Sequence, residues 1–309
     1  RAGGTCLNWG CIPTKALLKN AHLYHQLKHD AETFGLSFDN LSYDWSKVVG
    51  RSRQVSGKLA GGIEYLFKKN NVDYVNGFGS IQGPGKVEVK KENGTTEILD
   101  AQNVIIATGA KSRPMPGFPF SGNTVISSKE AMTLEKQPKS MVIIGAGAIG
   151  VEFGYIYNAF GTEVTIIEMM PNLLPVEDDD VSDAITKSYR KAGINCLTDT
   201  KVTGTRDNGS SVTITVENSS GSKEITADCC LVAIGVAPVL PGGQQPKLTD
   251  RGWVEISDRY ETSLPNVYAI GDIAGPPWLA HTASFEAMQC VEGIFVEGTA
   301  VKRVGDFPG

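Results

Sequence analysis

The clearest pattern along the chain begins at Met141. Met141-Val142-Ile143-Ile144 is continuously apolar, as in a strand buried on both faces, and it runs into Gly145-Ala146-Gly147-Ala148-Ile149-Gly150. Residues 151–160 then read as a helix closed by Gly161, and Val164-Thr165-Ile166-Ile167 as a second strand ending on Glu168. Nearer the N-terminus the pattern predicts a helix over 14–29, with Pro13 in its first turn, and another over 45–69. Short apolar stretches at 72–75, 87–91, 97–99, 104–107, 212–216 and 231–234 read as strands, with Gly77, Gly79, Gly83, Gly85 and Asn93-Gly94 as turns among the first of them. Residues 111–123, rich in Pro and Gly, read as a linker.

A weak repeat is superimposed on this. Val104-Ile105-Ile106-Ala107-Thr108-Gly109, Leu231-Val232-Ala233-Ile234-Gly235 and Asn266-Val267-Tyr268-Ala269-Ile270-Gly271 each read as an apolar strand ending in x-Gly. Ordinary turn chemistry also puts Gly after a strand. In an open α/β sheet, however, bare backbone at a strand end is where nucleotides bind, and three such ends suggest more than one nucleotide.

The spacing at 145–150 has a specific physical basis. Gly145 permits the tight turn, Gly147 lets the backbone approach a pyrophosphate, and Gly150 lets helix and strand pack closely. The pyrophosphate would sit on the helix N-terminus, where free N–H groups and the dipole favour anions. Glu168 stands where an acid accepts from adenosine ribose hydroxyls, and its charge would repel a 2′-phosphate, so NAD is expected rather than NADP.

Composition narrows the picture. The 309 residues suggest two domains, and 29 Lys plus Arg against 34 Asp plus Glu leaves a net charge of −5, with no basic stripe for nucleic acid. No apolar run has the roughly 18 residues of a membrane helix. Six cysteines are too few for a secreted disulfide scaffold, and Cys196, Cys229, Cys230 and Cys290 read as small buried hydrophobes. The chain opens Arg1-Ala2-Gly3-Gly4, with neither Met nor signal peptide, as if cut from something longer. Thiol usage points to the cytoplasm.

Cys6 and Cys11 stand apart because they lie close together in a Gly-rich stretch with Gly10 between them. A regular helix would place them about 140° apart, so a disulfide needs a distorted turn, which Gly10 can provide. Cys11, near a helix start, would have a lowered thiol pKa. Spacing alone leaves three readings open: a redox pair, half of a zinc site, and two inert thiols. Zinc needs four ligands, no second pair with suitable spacing follows, and no metal is expected.

Gly3-Gly4-Thr5-Cys6-Leu7-Asn8-Trp9-Gly10-Cys11-Ile12-Pro13-Thr14-Lys15 resembles the redox-disulfide segment of the pyridine nucleotide–disulfide oxidoreductases, and its Leu-Asn-x-Gly-Cys-Ile-Pro wording is similar to their class I, dihydrolipoamide-oxidising branch. The resemblance implies an α/β fold of two Rossmann-like nucleotide-binding domains, divided as 1–118 (part of an FAD domain, with the disulfide), 119–254 (a complete NAD domain) and 255–309 (return to the FAD domain). It implies that a Gly-rich FAD motif would precede the chain and that a dimerisation domain bearing the acid/base His would follow it.

Residue by residue, the resemblance makes Cys6 the interchange sulfur and Cys11 the charge-transfer thiolate, with Lys15 near the flavin. Gly79, Thr108, Gly109, Ala110, Asp272, Leu279, Ala280 and His281 would contact FAD. Gly145, Ala146, Gly147, Ala148, Ile149, Gly150, Val151, Glu152, Glu168, Val202 and Gly235 would contact NAD, with Val236 standing where Arg is common. His22, His25 and His29 would be solvated. The implied activity is electron transfer from a dihydrolipoyl dithiol, through Cys6–Cys11 and FAD, to NAD. The dithiol would be carried by a 2-oxo acid dehydrogenase or glycine cleavage complex, and the full-length protein would be a homodimer. The alternatives are an NADPH-dependent disulfide or mercuric reductase, and a non-catalytic NAD-binding redox module.

Overall fold

A computed structural model describes residues 2–303. Arg1, and residues 304–309 of the 255–309 segment, lie outside the described residues. The chain opens with α1 (Gly4–Trp9) and α2 (Cys11–His29), followed by the long α3 (Trp45–Lys69). Strands β1 (Phe78–Gly83), β2 (Lys86–Lys90) and β3 (Thr96–Asp100) lead to β4 (Val104–Ile106) and β5 (Ala110–Ser112). Strand and helix then alternate through β6 (Val125–Ile126), α4 (Ser128–Ala131), β7 (Ser140–Ile144), α5 (Ala148–Ala159), β8 (Glu163–Ile167), α6 (Asp179–Lys191) and β9 (Asn195–Leu197). A meander of β10 (Lys201–Asp207), β11 (Val212–Asn218) and β12 (Gly221–Ala227) precedes β13 (Cys229–Val232), β14 (Val236–Pro238), β15 (Gly242–Gly243), β16 (Val267–Ala269) and α7 (Ala280–Phe295).

Two compact units emerge among the described residues, one of residues 64–111 with 236–303, the other of 2–63 with 112–235. They partition the chain by packing, whereas the 1–118, 119–254 and 255–309 division assigns residues by the cofactor they would serve.

In the second unit a five-stranded sheet runs β6-β13-β7-β8-β9, every pair parallel. Its central strands are continuous apolar runs because they are covered on both faces. One face packs on α5 and α2 through Ile143, Ile166, Phe153, Ile156, Tyr157 and Leu17; the other packs on β11 through Val142, Ile144, Ile167, Val212, Ile214 and Val216. In the first unit, β1, β2 and β3 form an antiparallel sheet that β15 extends, and β16 pairs in parallel with β4.

Residues 72–75 are not a strand. Val72, Tyr74 and Val75 are exposed, and among the described residues no strand pairs with them; Tyr74 instead folds back on Phe67 of α3, with ring centroids 5.7 Å apart. Pairing starts at Phe78, where β2 supplies a partner. The helix expected from Thr14 starts earlier, at Cys11.

Candidate functional site

Gly10, with φ −141° and ψ −123°, breaks the helical path between α1 and α2. The break places Cys6 on one short helix and Cys11 at the first position of the next, with their Cα atoms 4.8 Å apart and a disulfide between them. A side chain at Gly10 would press on the Cys6 Cα and the Thr5 carbonyl, both 3.1 Å from its Cβ. No acidic residue occupies the first turn of α2, so the positive helix end at Cys11 is not neutralised from within. Pro13 falls in that turn, and the Thr14 hydroxyl donates to the Gly10 carbonyl at 2.7 Å.

One turn further along α2, Lys15 Nζ pairs with Glu152 Oε1 of α5 at 2.5 Å. Between the two cysteines, buried Asn8 donates from Nδ2 to the carbonyls of Ala2 (2.8 Å) and Gly4 (3.0 Å), closing the start of the segment on itself.

The glycine loop joins β7 to α5. Gly145 has φ +99°, and a Cβ there would meet the Ala233 carbonyl oxygen at 2.5 Å; a Cβ on Gly150 would run into the Gly145 carbonyl. Nothing lies within 4 Å of a Cβ on Gly147, so the loop is open there, and α5 starts with neither a side-chain cap nor an acidic first turn. Its first N–H groups are therefore directed at open space, the arrangement that suits an anion. Glu168 is buried at the end of β8, with one carboxylate oxygen accepting from the Ala146 N–H at 2.8 Å and the other from the Met170 N–H at 2.9 Å. Ala148 and Ile149 are exposed, Val151 is buried, and Val202, on β10, is half-buried against the β11 face of the sheet. Gly235 follows β13 with φ +100° and open space beside it.

The remaining expected residues lie in the other compact unit. Gly79, on β1, and Thr108 are exposed, while Gly109 (φ +69°) and Ala110 are half-buried at the end of β4. Gly271 (φ +70°) and Asp272 form the turn after β16, and Leu279, Ala280 and His281 form the start of α7, where the Thr282 hydroxyl is buried without a hydrogen-bond partner. Burial, and then the nearby charge of Glu286, raise the Asp272 carboxyl above the ordinary aspartate range. Sequence reasoning passed over Glu286, whose buried carboxylate accepts from the Gly271 N–H at 2.6 Å and lies 3.8 Å from Arg303. Its only signal is an acid at a position that α7 turns inward. Among the described residues no group of three His, Cys, Asp or Glu could hold a metal, and no helix is long and apolar enough to cross a membrane.

The relatives agree with one another. The dihydrolipoyl dehydrogenase of Chlorobaculum tepidum is 41% identical over 297 residues, 94% of this chain and 63% of that protein. The one from Mycobacterium tuberculosis is 41% identical over 98% of this chain and 66% of its own length, and the mitochondrial one of Caenorhabditis elegans 40% over 94% and 60%. The chain thus spans less than two thirds of the relatives it matches. Among solved structures, LpdA from Mycobacterium tuberculosis superposes with a TM-score of 0.85 at 21% identity, covering 98% of this chain and 66% of that one. The HOCl-induced flavoprotein disulfide reductase RclA from Escherichia coli superposes with a TM-score of 0.81 at 24% identity, covering 97% and 64%. Both likenesses show the α/β fold. The family's own sequence model matches residues 1–287, and on that match the chain belongs to the pyridine nucleotide-disulphide oxidoreductase family.

Proposed function

We propose that this chain carries the redox and NAD-binding core of a flavoprotein that oxidises a dihydrolipoyl dithiol and reduces NAD. The carrying observation is the Cys6–Cys11 disulfide with Cys11 at the first position of α2. The positive helix end favours a thiolate on Cys11, which leaves Cys6 to exchange with the incoming dithiol. The identity to dihydrolipoyl dehydrogenases supports that substrate, carried by a 2-oxo acid dehydrogenase or glycine cleavage complex, and a homodimeric whole protein.

The residues fit both nucleotides. The open cradle at Gly147, the uncapped start of α5 and the buried Glu168 suit NAD, and a carboxylate at that point disfavours a 2′-phosphate. The unpartnered Thr282 hydroxyl at the start of α7, the half-buried Asp272 and the open Gly109 suit FAD. When bound, FAD supplies the two-electron relay between thiol and nicotinamide. The chain's part is to hold the sulfurs together, orient Lys15 through Glu152 and present backbone N–H groups to phosphate. We assign residues 1–118 and 255–309 to FAD and 119–254 to NAD. Four further free, buried thiols support a reducing compartment such as the cytoplasm.

Anaerobic titration of the full-length protein tests this. Partial reduction is expected to raise a long-wavelength thiolate–flavin band that Cys11→Ser abolishes, and dihydrolipoamide is expected to reduce NAD far faster than NADP. A full-length protein without bound flavin, or one preferring NADP, would overturn the reading.

A further inference from the structure

The α1–α2 pair is held by more than its disulfide. From α3, Arg51 Nη1 donates to the Ala16 carbonyl of α2 at 3.0 Å, and Arg53 Nη1 donates to the Asn8 carbonyl of α1 at 2.8 Å. The Arg53 guanidinium is itself fixed. Its Nε donates to Ser52 Oγ at 3.4 Å, its Nη2 approaches Met132 Sδ at 3.9 Å, and it lies 5.0 Å from the centre of the Trp9 ring. Lys129 of α4 brings a second cation to that ring, 4.8 Å from its centre. Asn8 and Trp9 are two of the four residues between the cysteines. Each helix that carries a redox sulfur is therefore tied through its own main chain to one helix, α3, by a bond that does not involve sulfur.

We propose that Arg51 and Arg53 are positioning residues for disulfide exchange, keeping α1 and α2 together while the S–S bond is open. The proposal rests on the redox reading of Cys6–Cys11 given above. In that exchange an incoming dithiol becomes a disulfide, losing two electrons and two protons; the Cys6–Cys11 bond breaks and its two sulfurs take up those electrons and protons. Once it is open, these ties are the side-chain bonds by which α3 holds the main chain of both helices against motion about Gly10 and about Gly3, which has φ +100°. Packing, the local bonds of Asn8 and Thr14 and the Lys15–Glu152 pair act beside them. Releasing a tie enlarges the ensemble of the open form, so reclosure must order more chain and the disulfide becomes easier to reduce.

The test equilibrates the full-length protein with dithiothreitol buffers, quenches with acid, alkylates, and counts closed and open Cys6–Cys11 by mass spectrometry. Arg53→Met is expected to lower the closed-to-open ratio about tenfold, a rise in potential of about 30 mV. Arg53→Lys should fall between, and Lys129→Met, which leaves both main-chain ties intact, should stay within twofold of the parent. A merely structural role would lower the urea midpoints of oxidised and reduced protein equally and leave the ratio unchanged. Should Arg53→Met not fold, Arg51→Met and Arg53→Lys carry the measurement. Ratios within twofold of the parent for the arginine variants overturn the proposal, whatever the turnover. A shifted ratio in a protein lacking dithiol–NAD activity would overturn the redox reading and leave the positioning role standing.

Discussion

The Glu168 carboxylate at the end of β8 and the Ala146 N–H of the glycine loop are joined at 2.8 Å, so the acid proposed to meet the nucleotide also braces the glycine loop. Glu168→Gln converts one acceptor into a donor facing a main-chain N–H. It is expected to lower folding stability by about 1–3 kcal/mol and to weaken NADH binding in parallel. Urea unfolding and fluorescence titration with NADH check both; a stability unchanged from the parent would refute the bracing role.

Gly147 and Gly150 separate binding from folding. Gly150→Ala drives a methyl into the Gly145 carbonyl and should cost about 1–3 kcal/mol, whereas Gly147→Ala meets open space and should change stability by less than about 0.5 kcal/mol. NADH affinity is nevertheless expected to fall at least tenfold in Gly147→Ala, because the added methyl occupies the approach to the pyrophosphate. Equal unfolding midpoints for the two variants would contradict this.

The four cysteines outside the disulfide should be inert. Burial pushes the thiols of Cys196 and Cys230 up; burial, with the charge of Asp228, lifts Cys229 to about 12, and burial, with that of Glu286, lifts Cys290 to about 11. After reduction, iodoacetamide at pH 8 is expected to label Cys6 and Cys11 within minutes and the other four only on unfolding. Peptide mapping of native protein decides it, and rapid label on Cys229 or Cys290 would count against the described core.

Asp272 sets a pH dependence. Its carboxyl is raised in the folded protein, first by burial and then by Glu286, so its favourable contribution is full below the unfolded-state value and is lost as pH rises through the folded one. Asp272→Asn should therefore stabilise the flavin-free protein at pH 7 relative to the parent, by a margin that shrinks toward pH 4. Urea midpoints at the two pH values are the measurement; a margin that grows on acidification would reverse the assignment.

The sheet around the glycine loop was legible because parallel strands covered on both faces leave unbroken apolar runs, as at Met141–Ile144, and because the loop's glycines mark both strand end and helix start. Residues 72–75 misled because β-branched and aromatic side chains do not make a strand without a partner to pair with. The short helix carrying Cys6 was hidden among glycines, which have low intrinsic helix propensity; local bonds such as those of the Asn8 amide close it instead. Glu286 and the arginine ties were beyond reach of pattern reading, since each depends on which distant backbone the folded helix meets.

The strand order β6-β13-β7-β8-β9 also bears on how the protein is made. The strand that fills the gap between β6 and β7 is the last of the five to leave the ribosome. At cellular elongation rates its arrival lags β7 by on the order of ten seconds, during which the nascent chain presents the apolar edge of β7 unpaired. Such an edge is a template for mispairing, and it stays unpaired until residue 232 has emerged.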